Sequence, residues 1–354
     1  MARRVLLTGA TGLIGCHTAA ALAREGFAVR ALVRDEAKLA RVLAPLGVDL
    51  ARDGVEPARG DVEDPASIAR AAAGCDAALH CAGRFSHELA DAAALRAVNV
   101  DGTRHVLDAA LDAGLDPVVH VSSFLALMPS PGPRTTADDP IAPVRGMYSR
   151  TKADADRIAR ERQARGAPVA IVYPASVQGP HDPTVGSGPA VFAGYLRTGR
   201  VLVTRGGLGF TDVRDLALLL ARLLAPGRGP RRLLAPTDFV EHERFHRLLC
   251  ELTGRALAAD RVPPALLRVL GRVGDLRQRL TGRPVPLTSE AATVLTRSAP
   301  FDDAEGRALL GRDATPAADS FRDLLRWMWE AGVLDAEHVG ALASGPAPAA
   351  APRP

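Results

Sequence analysis

Arg3-Arg4-Val5-Leu6-Leu7-Thr8-Gly9-Ala10-Thr11-Gly12-Leu13-Ile14-Gly15 lies at the start of the chain and decides its fold. Arg3 to Thr8 reads as a short buried strand running straight into glycines. An Ala-rich helical stretch follows, through Arg24. Strand, glycine turn and helix are the parts of a dinucleotide-binding βαβ unit. The glycines let the backbone turn tightly and approach a pyrophosphate, which rests on amide groups at the positive helix end. The opening residues superficially resemble a signal peptide, but the apolar run is too short and breaks into glycines.

Strands and helices alternate onward, with further strands at 28–33, just before Asp61, and at 77–81, 118–122 and 169–173. That pattern predicts an α/β fold, a Rossmann-type doubly wound parallel sheet with helices on both faces. Ligands then bind beyond the carboxyl ends of the strands, where the glycine loop, Ala82-Gly83 and Ser122-Ser123 all fall. The expected division is a dinucleotide-binding domain over 1–174 and a smaller C-terminal substrate lobe over 175–340, partly interwoven with the first. The Ala/Pro/Gly stretch 341–354 buries too little to order itself and is expected to be a flexible tail. The Pro-rich segment 124–147 is expected to be a substrate wall or lid.

Tyr148-Ser149-Arg150-Thr151-Lys152 carries the chemistry. The chain has three tyrosines and only two lysines, Lys38 and Lys152. Scattered at random, a Tyr-x-x-x-Lys pair would occur roughly 0.02 times. Residues 148–164 are rich in Ala, Arg, Asp and Glu and lack Pro and Gly, so they predict a helix. Residues four apart then share one face, and the Lys152 charge is expected to lower the Tyr148 phenol from its ordinary value near pH ~10. A phenol so tuned can give or take a proton.

Taken together, Thr8 to Gly15, Gly60-Asp61-Val62, His80-Cys81-Ala82-Gly83, Val98 to Thr103 around Asn99, Val121-Ser122-Ser123, Tyr148 to Lys152, Tyr173-Pro174 and Asp212-Val213-Arg214-Asp215 resemble one family in order and spacing. It is the extended branch of the short-chain dehydrogenase/reductases, the NAD-dependent epimerase/dehydratase family. Within it the chain is most similar to dihydroflavonol reductase-like, 3β-hydroxysteroid dehydrogenase-like and hopanoid-associated epimerase-like members. The resemblance implies that Tyr148 is the acid/base, that Lys152 lowers its pKa and binds the nicotinamide ribose, and that Ser123 hydrogen-bonds the substrate oxygen. It also implies cofactor contacts from Gly9, Thr11, Gly12, Leu13, Ile14, Gly15, Asp61, Val62, Ala82, Gly83, Tyr173 and Pro174, besides Tyr148 and Lys152. Asn99, the chain's only asparagine, is implied to hold strand and helix backbone around the site. His80 is read as structural, and Asp212 to Asp215 as an anchor between lobes.

Cofactor choice rests on the end of the second strand. NAD enzymes usually place a carboxylate there, whereas an arginine suits the 2′-phosphate of NADP. Val33 and Arg34 occupy the position, with Asp35 just after. NADP is therefore favoured over NAD, with Arg34 as its contact.

Composition fits a cytoplasmic enzyme. The 354 residues are 47% hydrophobic, enough for a large core, and no apolar run is long enough to span a bilayer. A net charge of +4 with only 4% aromatic residues argues against nucleic acid. Cys16, Cys75, Cys81 and Cys250 have neither disulfide-framework nor zinc spacing, and no metal is expected. The partners expected are a small-molecule substrate and a second copy in a homodimer, without firm membrane association. The stretch from Leu266 to Val273 and the arginines after it form an amphipathic helix, expected to pack on the core; contact with membrane is the other reading.

The reaction expected is hydride transfer between nicotinamide and a secondary alcohol or carbonyl. A nucleotide-sugar epimerase or dehydratase holding NAD uses the same trio, and a non-catalytic dinucleotide sensor can share the fold. The Tyr-Lys pair weighs against the sensor. Fold analogy does not name the substrate.

Overall fold

β1 (Arg4–Thr8) is buried on both faces: Val5 and Leu7 pack into one apolar cluster and Leu6 into another. An alternation with no polar face is what a central parallel strand needs. The computed structural model describes residues 2–343 except 87, 145, 284 and 286. Around β1 lie β2 (Ala28–Val33), β3 (Val55–Arg59), β4 (Ala77–His80), β5 (Val118–Val121) and β6 (Val169–Tyr173). Then follow β7 (Ser176–Gln178), β8 (Arg200–Val203), β9 (Gly207–Asp212), β10 (Arg231–Leu234), β11 (Asp238–Glu241) and β12 (Ala258–Arg261).

The main sheet has seven parallel strands in the order β10-β6-β5-β4-β1-β2-β3. After β3 the chain crosses back to put β4 on the other side of β1. The direction of winding reverses there, which opens a crevice at the carboxyl ends of β1 and β4. Helices cover both faces, as the alternation of elements predicted. Among them Leu13–Arg24 packs on Val213–Arg222.

The second half is threaded through the first. β10 leaves the lobe and pairs with β6 at the sheet edge, Leu234 opposite Tyr173. β7, β9 and β11 make a three-stranded sheet, and β8 and β12 a two-stranded one. The lobe core is built on Phe192, Phe210, Phe245 and Phe321, whose rings all meet one another at 4.9–6.1 Å. Edge-to-face packing of this kind adds to the burial of the rings themselves.

Polar anchors tie helix Val213–Arg222, which packs on Leu13–Arg24, to the C-terminal part of the chain. Asp212 caps helix Val213–Arg222, and Arg214 pairs with both Asp212 (2.7 Å) and Asp323 (2.6 Å). Asp215 takes the Thr315 backbone N–H at 2.6 Å and the Arg312 guanidinium. The segment expected to be a substrate wall or lid is tied down. Leu127 and Met128 are buried, and Thr135 exchanges backbone hydrogen bonds with Pro300 (2.8 Å) and Asp302 (2.9 Å). Ala341 and Leu342, expected in the flexible tail, belong to a 3-10 turn over Gly340–Leu342, and Leu342 is buried. Residues 344–354 of that tail lie outside the described residues.

Candidate active site

Two glycines of the first loop are required by the fold. Gly9 has φ +76°, and a Cβ there would sit 2.6 Å from the Ala82 nitrogen; one at Gly15 would sit 2.0 Å from the Gly9 carbonyl. Gly12 is different. Its Cβ would meet nothing nearer than 3.6 Å, so the protein itself does not need glycine at this position. It is the N-cap of helix Leu13–Arg24, with no side-chain cap and no acidic residue in the first turn. A bare helix start beside an open Cβ position fits a pyrophosphate brought close to the amides.

The groove over this loop holds about 530 Å³. Gly9, Thr11, Gly12, Leu13, Ile14, Gly15, Arg34, Asp61, Val62, Ala82 and Gly83 line it, as the sequence suggested. Lys38, Phe85, Asp182 and Thr184 line it too, and none was assigned to it from sequence. Asp182 accepts from the backbone of Thr184 (3.0 Å) and Gly186 (2.8 Å), so its carboxylate shapes its own turn. Asp35, the acid nearest the end of β2, caps the next helix by accepting from the Lys38 N–H at 2.9 Å. Arg34 is largely exposed, with Asp61 at 3.4 Å.

Tyr173 and Pro174, expected at the cofactor, are not in the groove lining, and neither are Tyr148, Lys152 and Ser123. The Tyr173 side chain is fully buried, and its hydroxyl bonds Asp156 (3.2 Å) and Arg160 (3.0 Å). The Pro174 carbonyl accepts from the Phe124 N–H at 3.1 Å.

Helix Met147–Ala164 carries Tyr148 and Lys152 one turn apart. Its N-cap, Gly146, has no side chain to offer, and the cap comes from far along the chain: the Ser149 N–H donates to Glu290 Oε1 at 2.8 Å. A Cβ on Gly146 would lie 2.1 Å from the Glu290 carboxyl carbon. Lys152 is buried and donates from Nζ to the Val121 carbonyl at 3.0 Å. Burial lowers its pKa to about 8, against the opposing pull of Asp156. Tyr148 departs from expectation: burial first, then the Glu290 carboxylate, push its phenol up rather than down. Its ring packs on Phe85, centroids 4.6 Å apart.

Of the serine pair, Ser122 is committed, donating to the buried Asp156 at 2.9 Å. Ser123 Oγ accepts from the Leu125 N–H at 3.2 Å and caps a single 3-10 turn. Asn99, in a π-helical turn, bonds the backbone of Arg84 both ways (2.8 and 2.9 Å) and donates to Thr151 Oγ1 at 2.9 Å. It thereby ties the loop after β4 to the Tyr148 helix.

Beneath these groups runs a polar row across the sheet, with Thr8, His80 and His120 in register on β1, β4 and β5. Thr103 donates to the Asn99 carbonyl at 2.6 Å, so His80 Nε2–H must donate to Thr103 (3.0 Å). His80 Nδ1 then accepts from the Thr8 hydroxyl at 2.8 Å, and Thr8 Oγ1 accepts from the Ala82 N–H at 3.2 Å. Burial, then the Lys152 charge, lower the His80 pKa to about 3. His120 stacks on His80 at 5.4 Å and is held well below its usual range by burial, Lys152 and His80.

Parallel sheet, glycine-built first turn and Tyr-x-x-x-Lys helix define a nucleotide-dependent enzyme of the short-chain dehydrogenase/reductase class. The model of the NAD dependent epimerase/dehydratase family matches residues 5–233, and the chain belongs to that family. Sterol demethylase protein B of Methylococcus capsulatus is 31% identical over 93% of this chain and 99% of its own length. A Stigmatella aurantiaca protein, 4-hydroxy-2-methyl-3-oxo-4-farnesyl-3,4-dihydroquinoline-1-oxide ketoreductase, is 30% identical over 93% of this chain and 97% of its own. Among solved structures, the terminal R domain from the myxalamid PKS-NRPS biosynthetic pathway superposes with a TM-score of 0.75 at 22% identity, covering 95% and 92% of the two chains. MoeE5 in complex with UDP-glucose and NAD gives 0.68 at 22%, covering 92% and 98%. These likenesses in structure speak to the fold alone. Membership makes the chain an NAD(P)-dependent enzyme of the oxidoreductase or sugar epimerase/dehydratase kind. Among the described residues no helix is long and apolar enough to cross a membrane.

Proposed function

We propose that the protein is an NAD(P)H-dependent ketoreductase acting on the carbonyl of an apolar substrate. The observation that carries this reading is the place of Tyr148, whose ring packs on Phe85 at the edge of the cofactor groove. Burial and Glu290 keep its phenol neutral, the form needed to donate a proton as a carbonyl is reduced. The bound nicotinamide supplies the hydride. Tyr148 Oη gives its proton to the substrate oxygen, and Ser123 Oγ donates to that same oxygen. The Lys152 ammonium, charged below about pH 8, leaves the Val121 carbonyl for the ribose and for the phenolate as it forms. Solvent restores the phenolic proton.

Phe85, half exposed against Tyr148, supports an apolar substrate at the mouth of the site. So do two relatives whose names refer to a sterol and to a farnesylated quinoline. NADP is favoured over NAD because Arg34, exposed and only loosely paired with Asp61 at 3.4 Å, is placed to meet a 2′-phosphate while the Asp35 carboxylate is held in a helix cap. A cytoplasmic location and a homodimer belong to the same reading. The test is a panel of ketones, aldehydes and nucleotide sugars followed by NAD(P)H absorbance. Consumption of NADPH with apolar ketones is expected. Interconversion of nucleotide sugars without added cofactor, and no carbonyl reduced, would overturn the reading.

A further inference from the structure

Helix Pro264–Thr281 turns an apolar face outward. Among the described residues, nine large hydrophobic side chains are exposed, and six of them lie on this helix: Leu266, Val269, Leu270, Val273, Leu276 and Leu280. At 100° per residue they fall within one stripe about 120° wide, running about 21 Å from Leu266 to Leu280. The inward face is fixed by glycines. A Cβ on Gly271 would stand 2.7 Å from the Thr288 carbonyl, and one on Gly274 would stand 2.0 Å from the Leu287 carbonyl. The helix therefore cannot roll to bury its stripe, because only the glycine edge fits against segment 287–289.

Charge selects the occupant of this face. Arg272, Arg277, Arg279 and Arg283 are exposed on or just after the helix, and Arg268 is partly so. The helix has one acid, Asp275, and it is turned inward to accept from the Ser289 N–H at 3.0 Å. A second copy meeting this face across a two-fold axis would set arginine against arginine. An anionic surface meets both features at once, aliphatic side chains entering the acyl boundary and guanidinium groups binding phosphate.

We propose that helix Pro264–Thr281 docks the protein on an anionic phospholipid surface. On the side of this helix away from the stripe, Gln278 and Arg279 share a cavity of about 440 Å³ with Leu89, Met147 and Thr151, so the docked helix neighbours the Tyr148 helix. Docking is independent of the reaction assigned above and is read without turnover.

The test is flotation of the full chain with vesicles of phosphatidylcholine alone or with 30% phosphatidylglycerol (the composition to be used). The protein is expected to float with the anionic vesicles and to be released by high salt. R272Q/R277Q/R279Q should lower partitioning roughly a hundredfold, at about fivefold per arginine. V273D/L276D should abolish it, with thermal unfolding of both variants as in wild type. Absence of flotation with anionic vesicles would overturn the proposal. So would a dimer that V273D/L276D converts to monomer while vesicles bind nothing, since a second copy would then own the face.

Discussion

The backbone N–H of Ser149 donates to the carboxylate of Glu290 at 2.8 Å, joining the helix of Tyr148 and Lys152 to a helix of the second lobe. Gly146 makes room for that carboxylate, since its Cβ would lie 2.1 Å from the Glu290 carboxyl carbon. Glu290→Ala should lose about 1 kcal/mol as a lost N-cap. Gly146→Ala should expel the carboxylate and lose a similar amount. The double variant should then be little worse than either single one, a strongly non-additive cycle. Denaturant unfolding of the four proteins measures it, and full additivity would exclude the cap as the link.

Glu290→Gln keeps an acceptor oxygen for Ser149 but removes the charge that helps push Tyr148 up. Stability should hold while the phenol ionises at lower pH. The alkaline limb of phenolate absorbance in the ultraviolet should move to lower pH with it. An unmoved limb would separate Glu290 from the acid.

Tyr148→Phe should lower kcat by about 10²–10⁴ while cofactor affinity, read by fluorescence titration, stays within a few-fold. Lys152 keeps its place at Val121 in that variant. Full activity would remove Tyr148 from the mechanism.

Arg34→Ala should narrow the preference for NADPH over NADH by roughly tenfold, the worth of one charge-assisted contact of about 1.5 kcal/mol. Isothermal titration with both cofactors checks it. Equal affinities in wild type would sink the NADP assignment.

Acid should destabilise the fold through its buried histidines. Burial first lowers His17 to about 4 and His80 to about 3, and His120 is also held well down. Unfolded, each would titrate near ~6.5, so below that pH the unfolded chain binds more protons than the fold. Stability fully present above pH ~6.5 should fall as pH drops toward 4, by up to about 1.4 kcal/mol per unit for each histidine. Neither ring nitrogen of His120 has a hydrogen-bond partner among the described residues. His120→Leu should therefore raise stability at pH 7 by about 1 kcal/mol and flatten the slope by one proton. An unchanged slope in urea titrations at pH 5 to 7 would contradict this.

Local signals were legible in the sequence. Strand, glycine turn and helix over residues 4–24 and the Tyr-x-x-x-Lys spacing depend on residues close in the chain, and they stand where expected. Contacts between distant residues were not. The Glu290 cap joins positions far apart in sequence, and its only trace is a long helix whose N-cap is Gly146 in place of Ser, Thr, Asp or Asn. β10 begins with two arginines and is too short to show a period, so its return to the sheet was hidden. Tyr173 sits next to the crevice in sequence, yet its side chain points into the sheet's own packing against Asp156 and Arg160. The stripe on Pro264–Thr281 has helical periodicity whether it faces a core or solvent, and only the glycine contacts decide between them.

β6 ends at Tyr173, yet its outer neighbour in the sheet does not begin until Arg231. The intervening chain builds β7, β8 and β9, so the first part of the lobe is inserted between two adjacent strands of one sheet. During synthesis the nucleotide half must wait with β6 as a bare edge until residues 231–234 have emerged. A fragment that stops before them would carry both glycine loop and Tyr-Lys helix and still expose a sheet edge open to a foreign strand. The two halves are thus not separable modules: trimming this enzyme to its cofactor-binding part would trade solubility for size.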